Sequence, residues 1–173
     1  MIKKSIFSVI AIVMMALSVQ AQRVAIVDVS GILESLPSYI QAQGEIDKVS
    51  AKWRQDISME YDQIKGMYNK YQAEMVLLSE EVKIEREDEI MEKEQQVREL
   101  QKRRFGPEGD LFRKRQELIS PVQDEVFKAI EDYAKIKGYD LIFDKAGATG
   151  LLYSNEEYDK TDEIKRELGI RNK

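Results

Sequence analysis

The sequence has no cysteine and no histidine among its 173 residues. The first absence excludes disulfides, thiol nucleophiles and thiolate metal sites. The second removes the imidazole that most often serves as a general base, and together they exclude most zinc sites. Asp/Glu or Ser/Lys chemistry is left, and no spacing singles it out. Glycine is scattered rather than clustered, and Gly147-Ala-Thr-Gly150 lacks the lysine and the downstream helix that a phosphate-binding loop needs. The expectation is a protein that is not an enzyme and holds no cofactor or metal. Long apolar runs are also missing outside the N-terminus.

Charge is plentiful. Charged residues make up 34% of the chain and the mean hydropathy is −0.47, so the chain beyond its N-terminus is read as soluble. The N-terminus has the layout of a targeting segment: Lys3 and Lys4, a mostly apolar run from Ile6 to Val19 that is short for a bilayer span, and a small-residue cleavage site at Val19-Gln20-Ala21. Residues 1–21 are expected to be a cleavable signal peptide, and the protein to be exported. No cysteine follows the cleavage site, which argues against a lipoprotein and suits an oxidising compartment. Removing two lysines takes the net charge from −5 to −7.

The rest is organised around one long stretch. Ile46, Val49, Trp53, Ile57, Tyr61, Ile64, Tyr68, Tyr71, Met75 and Leu78 follow one another in steps of 3 or 4, the helix period, with polar residues between them. That is one narrow apolar seam on a polar rod, the mark of a helix with a single packing partner. Ser38 with Gln41 reads as a capping box that starts the helix after Pro37 stops a short turn at Ser30 to Leu36. Ser79-Glu80-Glu81 reads as the N-cap and acidic first turn of a second helix, which places the hairpin tip at 77–79. The second helix is sparsely apolar from Val82 to Leu100. It is interrupted at 105–109 by Phe-Gly-Pro-Glu-Gly and resumes near Asp110. Phe105 lies about as far past the tip as Trp53 lies before it, so the two rings are expected to meet at this break. Ser120-Pro121 is expected to kink the helix, and Gly138 to end it.

Two strands flank the hairpin: Arg23 to Asp28 and Tyr139 to Asp144. Leu151-Leu-Tyr153 is expected to be a third strand paired as a hairpin with the second. A last helix is expected with Thr161 as N-cap, Ile164 and Leu168 inward, and Gly169 at its end. The domain reading is a signal peptide (1–21), a helical hairpin arm (38–137), and a β-rich body (22–37 and 138–173). So small a body cannot bury much core alone, yet its strands are strongly apolar. An oligomer is therefore expected, with Val24, Ile26, Leu141, Phe143 and Leu151 at the interface.

This order of parts resembles the Skp/OmpH family of periplasmic chaperones. The features that carry the resemblance are the signal peptide, RVAIVD, the long helical hairpin, KGYDLIFD, AGATGLLYS and the closing Thr-Asp-Glu-Ile…Leu-Gly helix. It spans residues 22–173. It implies an α+β fold, a small β body with long antiparallel helical arms, in a jellyfish-like homotrimer. It also implies a periplasmic holdase that keeps unfolded outer-membrane proteins between its arms without ATP. Members of the family are reported to bind lipopolysaccharide through basic arm residues, so lipopolysaccharide or a membrane surface is a further implied partner, though no positions are carried over. Nucleic acid is not expected of an exported acidic chain. The competing class is a structural or adaptor coiled coil of the envelope.

Charge departs from the family pattern. Residues 74–94 carry nine acids and three bases, whereas 98–115 carry seven bases and three acids. The candidate client-binding residues are Met59, Met67, Tyr68, Tyr71 and Met75 as a soft apolar surface, and Lys102, Arg103, Arg104, Arg113, Lys114 and Arg115 as a basic one. For each group the plain alternative is a role within the hairpin: seam filling for the apolar residues, solvated ion pairs for the basic ones.

Overall fold

A computed structural model describes residues 22–147 and 151–170. The expected signal peptide and residues 148–150 of the glycine loop lie outside them. The elements are β1 (Val24–Val27), α1 (Val29–Leu33), α2 (Pro37–Glu74), α3 (Glu80–Phe105), α4 (Asp110–Lys137), β2 (Leu141–Asp144), a 3-10 turn (Glu156–Tyr158) and α5 (Thr161–Glu167). The chain divides into two compact units. One is Leu33–Val126; the other joins the residues up to Ile32 to those from Phe127 on.

The Leu33–Val126 unit is the helical hairpin. Helix α2 has 38 residues, roughly 57 Å at 1.5 Å per residue. Pro37 opens it rather than stopping the turn before it. Proline at N1 lacks only a donor that would be orphaned there anyway. The Ser38/Gln41 box is not used, because the cap position is Leu36 and no side chain caps it. The tip turn begins earlier than expected, after Glu74, and Ser79 caps α3 by accepting from the Val82 N–H. Ile57 and Ile64 of α2 are buried against Ile90 and Val97 of α3, each pair one heptad apart, with Met67, Tyr71, Leu100 and Phe105 packed around them. A second cluster joins Ala42 and Ile46 to Ile119 of α4. Helix α4 runs through Pro121 without interruption.

The other unit has a two-stranded parallel sheet, Val24 opposite Leu141 and Val27 opposite Asp144. Parallel pairing requires a long crossover, and the whole hairpin serves as one. The expected third strand is not formed: Leu151–Tyr153 is irregular, and Leu152 is 97% exposed. The edge of β1 is taken instead by the segment before α5, where Lys160 N donates to Ile26 O at 2.9 Å. Thr161 is the first residue of α5, not its cap. Its hydroxyl accepts from Asp28 N at 2.9 Å and donates to Asp159, which also accepts from Thr161 N. Asp28, Asp140 and Asp144 each accept a backbone N–H, from Gly31, Arg23 and Val29 respectively. The core is Ala25, Ile26, Val27, Ile32, Tyr133 and Ile164.

Gly138 ends α4 with φ +69°, and Tyr139 N closes back on Ala134 O at 2.9 Å, a Schellman end. An added Cβ would meet nothing closer than 3.6 Å, so the penalty is conformational. Gly138→Ala should cost about 1 kcal/mol, read as a fall in urea midpoint. An unchanged midpoint would mean that the left-handed turn is not held in solution.

Candidate functional site

The residues singled out in the arm separate into committed and uncommitted groups. Three tyrosine hydroxyls reach from α2 to α3: Tyr61 to Gln101, Tyr68 to Glu94 and Tyr71 to Glu87. Donation to a carboxylate holds the Tyr68 and Tyr71 phenols above their ordinary pKa, with burial adding to it. These rings therefore seal the hairpin, while their apolar faces remain part of its surface. Met67 packs on the hairpin core, whereas Met59 is exposed and Met75 partly so.

The break between α3 and α4 is held by aromatic and ionic contacts. Phe105 meets Trp53 edge to face at 6.3 Å, the contact expected from their distances to the tip. Arg104 lies over the Trp53 ring at 4.5 Å and pairs with Asp110 at 2.6 Å. Asp110 also takes Arg113, whose guanidinium donates to Glu108 O. Glu108 adopts φ +57°, a left-handed residue between the two helices. Lys114 pairs with Glu45 and Glu117. Half of the expected basic site is thus spent within the arm. Lys102, Arg103 and Arg115 are exposed and form no ion pair.

Burial pushes the Asp110 carboxyl up, but hydrogen bonds from Arg113 and Arg104 overcome it and hold the group below its ordinary value. A depressed carboxylate stabilises above its unfolded pKa, and that stability is lost as pH falls through the folded one. The break should therefore loosen in acid below about pH 4, and Asp110→Asn should abolish that component. The change in Trp53 fluorescence with pH checks it; an identical acid profile in the variant would rule Asp110 out.

Beside the break lies an open cleft of about 480 Å³. Ile46, Ile57, Phe105 and Leu111 form its apolar floor, and Arg54 and Arg115 line it at the exposed side. Arg54 donates only to Ser50. The cleft leaves no trace in the sequence because its residues come from three helices. At the hairpin tip, Val76 and Leu77 are each 87% exposed, beyond the point where the seam still has a partner. Ile84 and Met91 are exposed on α3. No acidic cluster capable of holding a metal occurs among the described residues, and none of their helices is long and apolar enough to cross a membrane.

In the other unit, the five expected interface residues do not share one environment. Ile26 is buried in the chain's own core and Val24 is half-buried. Leu141 and Phe143 on β2 are 48% and 47% exposed, and Leu151 is exposed beside Leu152 and Tyr153. Among the described residues no strand pairs with the outer edge of β2.

Residues 23–168 match the family model described as outer membrane protein, OmpH-like. The chain belongs to the OmpH-like family. A solved structure of an OmpH-like protein from Caulobacter crescentus, named as an outer membrane chaperone, superposes on this OmpH-like chain with a TM-score of 0.71. The match covers 86% of this chain and 84% of that one at 12% identity, a likeness of fold. No curated protein matches the chain in sequence.

Proposed function

We propose that this OmpH-like protein is an ATP-independent periplasmic holdase that keeps unfolded outer-membrane proteins from aggregating. The observation that carries the reading is the family match over residues 23–168. The Caulobacter relative's name as an outer membrane chaperone supports it. So does the surface of the hairpin, where Met59, Ile84 and Met91 stand isolated among charged side chains. Scattered soft apolar contacts on a polar rod suit weak binding to many sequences rather than one tight fit. Lys102, Arg103 and Arg115 add uncommitted positive charge. Copies assemble as a homotrimer through the open edge of β2, with Leu141, Phe143, Leu151 and Leu152 covered.

Native mass spectrometry tests the reading. The protein is measured alone, and after a urea-unfolded outer-membrane β-barrel is diluted into it without nucleotide. The expected result is a trimer that captures one unfolded chain and ignores the same chain once folded. A stable oligomer that takes up no unfolded chain would favour an envelope adaptor instead. A monomer would overturn the assembly through β2.

A further inference from the structure

Two features of the arm have no role within one copy of it. The first is the tip. Val76 and Leu77 stand almost wholly in water, and the segment around them is strongly acidic. All three bases of residues 74–94 are engaged: Lys83 with Glu80, Arg86 with Glu89 and Lys93 with Glu60. Glu74 and Glu81, on either side of the two apolar residues, form no ion pair, and Glu74 feels Arg86 only beyond ion-pair range. Uncommitted carboxylates beside an apolar knob disfavour an anionic membrane, which would repel them, and a hydrocarbon layer, which would have to desolvate them.

The second feature is the cleft at the helix break. It offers an apolar floor open to solvent and two guanidinium groups, Arg54 and Arg115, that form no ion pair, against one carboxylate in the lining, Asp47, which accepts from Gln43. At about 480 Å³ it has room for two aliphatic side chains. The tip segment Glu74-Met-Val-Leu-Leu-Ser-Glu-Glu81 has the sequence that such a cleft would select, aliphatic residues bracketed by acids.

We propose that the arm tip of one copy docks in the break cleft of a second copy. Val76 and Leu77 enter over Ile46, Ile57 and Leu111, and Glu74 and Glu81 face Arg54 and Arg115. A chain cannot do this to itself, because Asp47 in the cleft and Glu74 at the tip lie on the same continuous helix, α2, about 40 Å apart along its axis. The contact joins two different surfaces and is therefore heterologous; it either closes into a ring or propagates. It is also small, so it is transient and sensitive to salt.

The absence of native cysteine makes the test clean. A tagged chain with Leu77→Cys is mixed with an untagged chain with Asp47→Cys and oxidised; Gln101→Cys, also in the cleft, serves if Asp47→Cys folds poorly by circular dichroism. The expected result is a mixed disulfide stronger than either homodimer. It should fall about tenfold between low and high salt, and vanish when Arg54 and Arg115 are both changed to glutamate. Reversing Glu74 and Glu81 to arginine in the tip chain should restore it on that background. A mixed band no stronger than with Lys65→Cys, elsewhere on α2, overturns the proposal. So does a predominance of Leu77→Cys homodimers, which would make the contact tip to tip. Disulfide formation between the cleft cysteine and an added unfolded chain that carries a single introduced cysteine, without the mixed band, gives the cleft to clients and also overturns it.

Discussion

Replacing Ile164 by alanine is expected to destabilise the strand-containing unit by about 3 kcal/mol, the middle of the range for a buried isoleucine. Ile164 has no exposed surface and is the one fully buried side chain of α5. That helix is only seven residues long, too short to persist without tertiary contacts. It is tied to the sheet by Thr161, whose hydroxyl takes the Asp28 N–H, and by Lys160 on Ile26. Truncating Ile164 removes the one buried apolar side chain that anchors α5. A loss of that size is a large fraction of what a domain this small possesses. Urea denaturation followed by far-ultraviolet circular dichroism measures it, and Trp53 fluorescence reports on the other unit in the same titration. A shift below about 1 kcal/mol would mean that the site relaxes to fill the cavity.

The second large effect is expected at the helix break. Trp53→Ala removes both the edge-to-face partner of Phe105 and the ring beneath Arg104. The expected loss is about 3 kcal/mol, at the low end for a tryptophan because the residue is only half-buried. Arg104 keeps Asp110, so the ionic part of the contact survives. Trp53→Phe should recover most of the stability, since a smaller ring still offers Phe105 and Arg104 an aromatic face. If alanine and phenylalanine behave alike, packing at this point is not what holds α3 and α4 in line.

What could be read from the sequence was what repeats or is local. The hairpin follows from the 3.6-residue spacing of Ile46, Ile57 and Ile64, and Ser79, Gly138 and Gly169 mark helix ends by local backbone rules. The meeting of Trp53 and Phe105 follows from counting residues back from the tip. Contacts between distant segments left no such trace. Leu151-Leu-Tyr153 has the composition of a strand, yet it does not join β2, whose outer edge no strand pairs among the described residues. Pro37 is locally ambiguous, since proline can end one helix or stand at N1 of the next, as it does here. Arg104 meets Asp110 across the break and Lys114 meets Glu45 on α2, pairings that the spacing along one helix does not show, whereas Arg113 and Asp110 are an i,i+3 pair within α4. In the candidate site, composition suggested which residue types matter, whereas only the fold separates Arg115 and Lys102 from the neutralised arginines beside them.

The pairing of β1 with β2 sets an order of events for the newly made chain. Arg23 and Asp140, bonded where the sheet begins, are 117 positions apart. At ribosomal speeds of about 5–20 residues per second, roughly 6 to 23 seconds separate the emergence of the two strands. For that interval Ile26 and Val27 have no strand to join, whereas the contacts of the hairpin are nearer in sequence. The open edge of β2 is among the last parts to be synthesised. In the assembly proposed above, association through that edge could not begin on an unfinished chain, and a truncated product would carry an arm without the means to assemble.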